Sequence, residues 1–166
     1  MPTHELTSFT AGHLRAGTLL FVTDPVKDRQ NVLEFVCALA ERHGAHLELV
    51  HVIDPEHISS LPDTQICIQY RLEALAWNMR RLQGGAGAIL LFGKPERVLA
   101  ERAGEIRATL IAIALNGSAT DHIQKRLAED LSRKCDCPVL TLPPDARVGG
   151  PQSVFDPGSP ERRLVS

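Results

Sequence analysis

The chain has 166 residues, enough for one domain with a real core, and is 43% apolar and 23% charged. A net charge of -2, with one Trp, one Tyr and five Phe, gives neither an electrostatic nor a stacking basis for nucleic acid. No basic stretch followed by an apolar one opens the sequence, and no apolar run approaches the roughly 20 residues of a membrane helix.

Residues 1–16 are mixed in polarity and read as an arm. Thr18-Leu-Leu-Phe-Val-Thr23 is a continuous apolar, β-branched run, as a strand buried on both faces requires, and it stops at Asp24-Pro25. The period then changes. Val32, Phe35, Val36, Leu39 and Ala40 recur at helical spacing, and Gly44 after Arg42-His43 is the stop. His46–Ile53 is the second strand, closed by Asp54-Pro55. Ile66, Tyr70, Leu72, Leu75, Ala76, Met79 and Leu82 mark a second helix ending at Gly84-Gly85. Ala88–Phe92 is a third strand. Gly93-Lys-Pro95 then opens a third helix, with Pro95 in a first-turn position that it tolerates. Leu110–Leu115 is the fourth strand and the most apolar. A fourth helix runs from about Asp121 to Lys134, with Ile123, Leu127, Ala128 and Leu131 on its inner face, and Pro138–Leu142 is the last strand.

Strands alternating with helices imply right-handed parallel crossovers and an α/β fold with a doubly wound sheet. The domain is expected over residues 17–142. From 143 to 166 Pro, Gly, Ser and charge dominate, which predicts a flexible tail with little to bury.

Four phrases, in this order and spacing, resemble the universal stress protein family: Phe21-Val-Thr-Asp24, Gly44-Ala-His-Leu-Glu-Leu-Val-His-Val-Ile-Asp54, Gly93-Lys-Pro95 and Cys137-Pro-Val-Leu140. The resemblance covers about residues 17 to 142. It implies a five-stranded parallel sheet of order 3-2-1-4-5 with helices on both faces, and homodimers paired through the last strand.

In a sheet of that order the ligand crevice lies at the carboxyl ends of strands one and four, where the winding reverses. The resemblance implies an Asp after strand one, matched by Asp24, with Val52 at the end of strand two bordering the crevice. It also implies a glycine signature, G-x2-G-x9-G-[S/T], whose backbone amides cradle phosphates. This chain departs from it. Ala114 stands near the first glycine, Gly117 of Asn116-Gly117-Ser118 remains for the second, and Lys125-Arg126 replace the final Gly-Ser. The stretch between Gly117 and Lys125 is also about two residues shorter than the pattern asks, which removes amides from the cradle. Lys125 and Arg126 either block the terminal-phosphate position or supply charge to an anion. Loss of ATP binding is the reading adopted, with ATP or AMP as the ligand under the alternative.

Other residues carry less. Asp24 either contacts a nucleoside or holds its own turn before Pro25. Cys135-Asp-Cys137 lacks the second pair that a zinc site needs. Four cysteines, at 37, 67, 135 and 137, form no disulfide framework and fit reduced thiols in a cytoplasm. His46 and His51 sit five apart on one strand, so they face opposite ways. His122, near the start of the fourth helix, is a candidate for anion contact. No G-x-S-x-G elbow is present, and Asp24–Asp28 is not a glycine-rich phosphate loop, so an enzyme is not expected.

Overall fold

The structure is a computed structural model, and it describes residues 17–57, 62–82 and 84–148. Five parallel strands, β1 (Thr18–Val22), β2 (His46–Ile53), β3 (Ala86–Phe92), β4 (Leu110–Ala114) and β5 (Val139–Leu142), form one sheet in the order β3-β2-β1-β4-β5. The connecting helices are α1 (Gln30–His43), α2 (Pro62–Asn78), α3 (Pro95–Glu105) and α4 (Asp121–Lys134). The expected fold class and strand order are therefore observed.

β1 and β4 lie at the centre and pair in register from Leu19 with Leu110 to Val22 with Ile113. Leu19–Val22 and Leu110–Ala114 are buried on both faces, which is why both read as unbroken apolar runs. Their side chains alternate between two cores. Leu19, Phe21, Leu110 and Ala112 pack under α1 and α2; Leu20, Val22, Ile111 and Ile113 pack under α3 and α4. Gly44 ends α1 in the left-handed region (φ 62°), its N–H reaching back to the carbonyl of Glu41.

Three local expectations change. Ile66 and Tyr70, assigned to the stripe that marks α2, are 55% and 71% exposed; Leu72, Ala76 and Met79 carry the inner face. At 100° per residue, positions 66, 70 and 77 share a direction about 120° away from 72 and 76, so α2 carries a second apolar stripe. Ile123, expected on the inner face of α4, is also exposed; Leu127, Ala128 and Leu131 carry that face. Finally, the chain does not leave the domain at Pro143. Ala146 is fully buried, and the Asn31 side-chain amide donates to the carbonyls of Pro144 (2.9 Å) and Ala146 (2.6 Å). Residues 149–166 of the expected tail, and the arm at 1–16, lie outside the described residues.

One ion pair spans the sheet and a helix. Glu48 on β2, 8% exposed, accepts from Arg102 Nε at 2.8 Å and Nη2 at 2.7 Å. The two-pronged geometry fits a carboxylate that must be satisfied in an apolar layer. Glu48→Ala should cost about 3 kcal/mol, the low end for stripping a buried pair, because Arg102 keeps some contact with water. Urea unfolding would measure it. Ending the chain after Pro144 should lower the melting temperature as well, since it removes buried Ala146 and one Asn31 bond, and Asn31→Ala should cost about 1–2 kcal/mol.

Candidate functional site

The sheet order reverses between β1 and β4, so the loops that follow these strands diverge and leave a crevice at their carboxyl ends. Thr23 continues β1, its N–H donating to Val50 O at 2.9 Å. The next turn closes on itself. One Asp24 oxygen accepts from the N–H groups of Val26 (2.9 Å) and Lys27 (3.2 Å), as an Asx turn does. Asp28 Oδ2 accepts from the Thr23 hydroxyl at 2.6 Å and the Asp24 amide at 2.9 Å. Burial pushes the Asp28 carboxyl above its ordinary value, and the Thr23 hydrogen bond works against that. His51 Nδ1 donates to Thr23 O at 2.9 Å, which ties β2 to the same turn.

On the other side of the crevice, β4 runs out at Leu115, whose N–H donates to Leu142 O. Gly117 then adopts φ +77°, and the turn presents two consecutive amides toward the start of α4. Asp121 meets both: Asn116 N–H donates to Oδ1 at 3.1 Å and Gly117 N–H to Oδ2 at 2.9 Å. A carboxylate in the first turn of a helix is also favoured by the helix dipole. The loop is bonded further along, Ser118 and Thr120 sharing a 2.6 Å hydroxyl contact and His122 Nδ1 donating to Ala119 O at 2.6 Å. His122 is thus occupied within its own loop. Asn116 Oδ1 is buried at this point without a hydrogen-bond partner.

The sequence-derived candidates are only partly brought together. Asn116 and Gly117 share one loop. Asp24 lies across the crevice and is half-buried, and Val52 packs half-buried against the core beneath α3 and α4. Lys125 and Arg126 are both exposed on α4. Arg126 lines a largely apolar groove of about 460 Å³ between α3 and α4, together with Asp54, Glu96, Ile123, Leu127 and Asp130; Lys125 does not. Sequence reasoning missed Asp121, although an acid at the start of a helix that follows a Gly-Ser turn is a legible signal. It also missed Thr23 and Asp28, whose roles arise only once the turn folds.

The two amides that this turn presents already serve a fixed carboxylate, and Lys125-Arg126 take the sequence positions at which the resemblance implies Gly-Ser, so the loop as it stands does not fit a triphosphate. No group of three or more metal-ligating side chains occurs among the described residues. A second cavity, about 320 Å³, lies at the opposite end of the sheet and is lined by Cys135, Cys137, Arg107 and Lys134. Burial raises both thiols, Cys137 to about 11, with the adjacent Cys135 adding to it. They are therefore protonated and poorly nucleophilic near neutral pH. Exposed Cys67 should react with an aromatic disulfide reagent at pH 8 well before Cys37, Cys135 and Cys137; simultaneous modification of all four would contradict the burial.

The family model of the universal stress proteins matches residues 16–143. No curated protein matches the sequence significantly. Among solved structures, a universal stress protein in complex with cAMP superposes with a TM-score of 0.58 at 15% identity, covering 79% of this chain and 99% of the other. One from Archaeoglobus fulgidus in complex with dAMP gives 0.56 at 19%, covering 76% and 98%. A family protein from Burkholderia pseudomallei gives 0.55 at 23%, covering 78% and 97%. At these identities the structural matches speak to the fold.

Proposed function

Since this chain belongs to the universal stress protein family, we propose that it is a non-catalytic, dimeric regulatory member acting in the cytoplasm, with a nucleotide crevice that its own residues have closed. The observation that carries this reading is the Asp121 carboxylate, which takes the Asn116 and Gly117 amides at 3.1 and 2.9 Å. A phosphate seeking those donors must displace a tethered anion and then sit beside it. Each charge-assisted bond forgone is worth roughly 1.5–3 kcal/mol, so losing two weakens binding by about two to four decades. Asp24, engaged with its own turn, has one oxygen left for a ligand hydroxyl, and no described side-chain set supplies an activated nucleophile. Homodimer formation through the last strand, β5, belongs to the same reading; there the partner would meet the outward backbone of Val139 and Thr141.

A second reading is supported by one feature. Arg126 reaches a groove of about 460 Å³, and the relatives solved with cAMP and dAMP carry monophosphates, which need fewer amides than ATP. Under it, the chain senses a nucleotide or another anion at the ends of β1 and β4 through Lys125 and Arg126.

Calorimetric titration separates the two. The closed crevice predicts no ATP or AMP binding below millimolar concentration, and measurable ATP binding once Asp121→Ala frees the amides. Micromolar binding of AMP by the unaltered chain, lost in Arg126→Ala, would establish the sensing reading in its place.

A further inference from the structure

The groove between α3 and α4 joins an apolar floor to an acidic rim. Ile123 and Leu127 line it from α4, and Ile123 is 55% exposed there. Asp54, Glu96 and Asp130 bring three carboxylates to the lining against one cation, Arg126. Two of these acids have local partners: Asp54 Oδ1 accepts the Glu56 amide at 3.0 Å, and Asp130 pairs with exposed Arg133. A groove of about 460 Å³ has room for two aliphatic side chains, which would gain burial over Ile123 and Leu127. The acids select a segment whose apolar residues stand next to cations.

The chain itself carries such a segment. Residues 149–166 hold two apolar pairs, Val154-Phe155 and Leu164-Val165. Asp156 follows the first pair and would be repelled by the rim; Arg162-Arg163 precede the second and match it. We propose that Arg162-Arg163-Leu164-Val165 docks in this groove of its own chain. Leu164 and Val165 cover Ile123 and Leu127, and the two guanidinium groups meet Asp54 and Glu96. Arginine suits the task, because its planar fork pairs with a carboxylate through two bonds. Glu161, just before the arginines, gives Arg126 an acid in return. Reach favours the contact as well. A side chain at Gly117 would stand 3.7 Å from Pro144, so the segment leaves the domain beside the loop that enters α4. From Thr120 to Asp130 is about 15 Å along that helix. Fourteen positions separate Val148, the last described residue, from Arg162. A flexible spacer of that length averages roughly 20 Å end to end and extends to about 46 Å. Exposed ion pairs are individually weak, so the segment is a reversible cover for the groove. The contact stands apart from the Asn116 and Gly117 amides and does not rest on the closed-crevice reading.

Methyl NMR of the full chain tests it. The unaltered protein should show nuclear Overhauser cross-peaks from the Leu164 and Val165 methyls to those of Ile123 and Leu127. Leu164→Ser/Val165→Ser should shift the Ile123 and Leu127 resonances, and Arg162→Glu/Arg163→Glu should shift them in the same direction. Val154→Ser/Phe155→Ser should leave them in place. Arg163→Glu alone should weaken the cross-peaks, and Glu96→Lys in the same chain should restore them, because the pair is then opposite in sign again. Unmoved methyls of Leu140, which packs under the other face of the sheet, would show that each variant keeps its fold. Absent cross-peaks, resonances indifferent to either pair of changes, a response to Val154→Ser/Phe155→Ser alone, or a failed rescue would overturn the proposal.

Discussion

The structure depends on the burial of β1 and β4 on both faces. Nine positions in two unbroken runs, Leu19–Val22 and Leu110–Ala114, are closed to water, so each strand needs a helical layer above and below. With parallel strands, right-handed crossovers deliver that only if the chain winds outward from β1 in one direction, returns, and winds out from β4 in the other. The first two helices then cover one face and the last two the other, as the two core clusters show. The crevice is a by-product of this constraint: wherever the winding reverses, two loops part company, and their backbone groups need partners.

What fills that need here is the chain itself. After β1, Asp24 and Asp28 take the amides of their own turn and the Thr23 hydroxyl; after β4, Asp121 takes the amides of Asn116 and Gly117. Both loops are held by internal carboxylates, which are acceptors only and suit exposed N–H groups. The same bonds stiffen the loops and place negative charge on both walls, so one arrangement stabilises the crevice and disfavours phosphate in it.

The fold was legible because its signals are long and local. Continuous apolar runs named the buried strands, Asp-Pro and Gly marked their ends, and the order of elements matched a known family. Burial was legible only where a helix has one apolar face. On α2, Ile66, Tyr70 and Trp77 give a second apolar stripe, and spacing alone cannot say which stripe faces the sheet. The domain end was misjudged for a related reason: Ala146 is a single small residue in a polar stretch, yet it is buried, and Asn31, more than a hundred positions earlier, holds its carbonyl. The site was least legible, because its chemistry lies in backbone amides that have no letter in the sequence. Gly117 could be identified as a cradle residue; that Asp121 already occupies the cradle depends on a turn geometry no spacing rule supplies.

The missing glycines and the added acid have one physical meaning. Glycine at a phosphate cradle is useful only because it lets an anion approach the backbone. On the closed-crevice reading proposed above, a tethered carboxylate satisfies the two leading amides, and nothing at positions 125 and 126 then rewards the absence of a side chain. Those positions then behave as ordinary exposed turns of a surface helix, where Lys and Arg are good helix formers and stay solvated. Lys125 and Arg126 thus read as the consequence of closure at Asp121 rather than its cause. Occlusion by the cations alone would require their heads to reach back over the Asn116–Gly117 loop. Arg126 lines the groove beside α3 together with Asp54, Glu96 and Asp130 rather than with the residues of that loop. On the reading proposed above, that leaves the carboxylate of Asp121, which takes the Asn116 and Gly117 amides, as the group that decides what the crevice can accept.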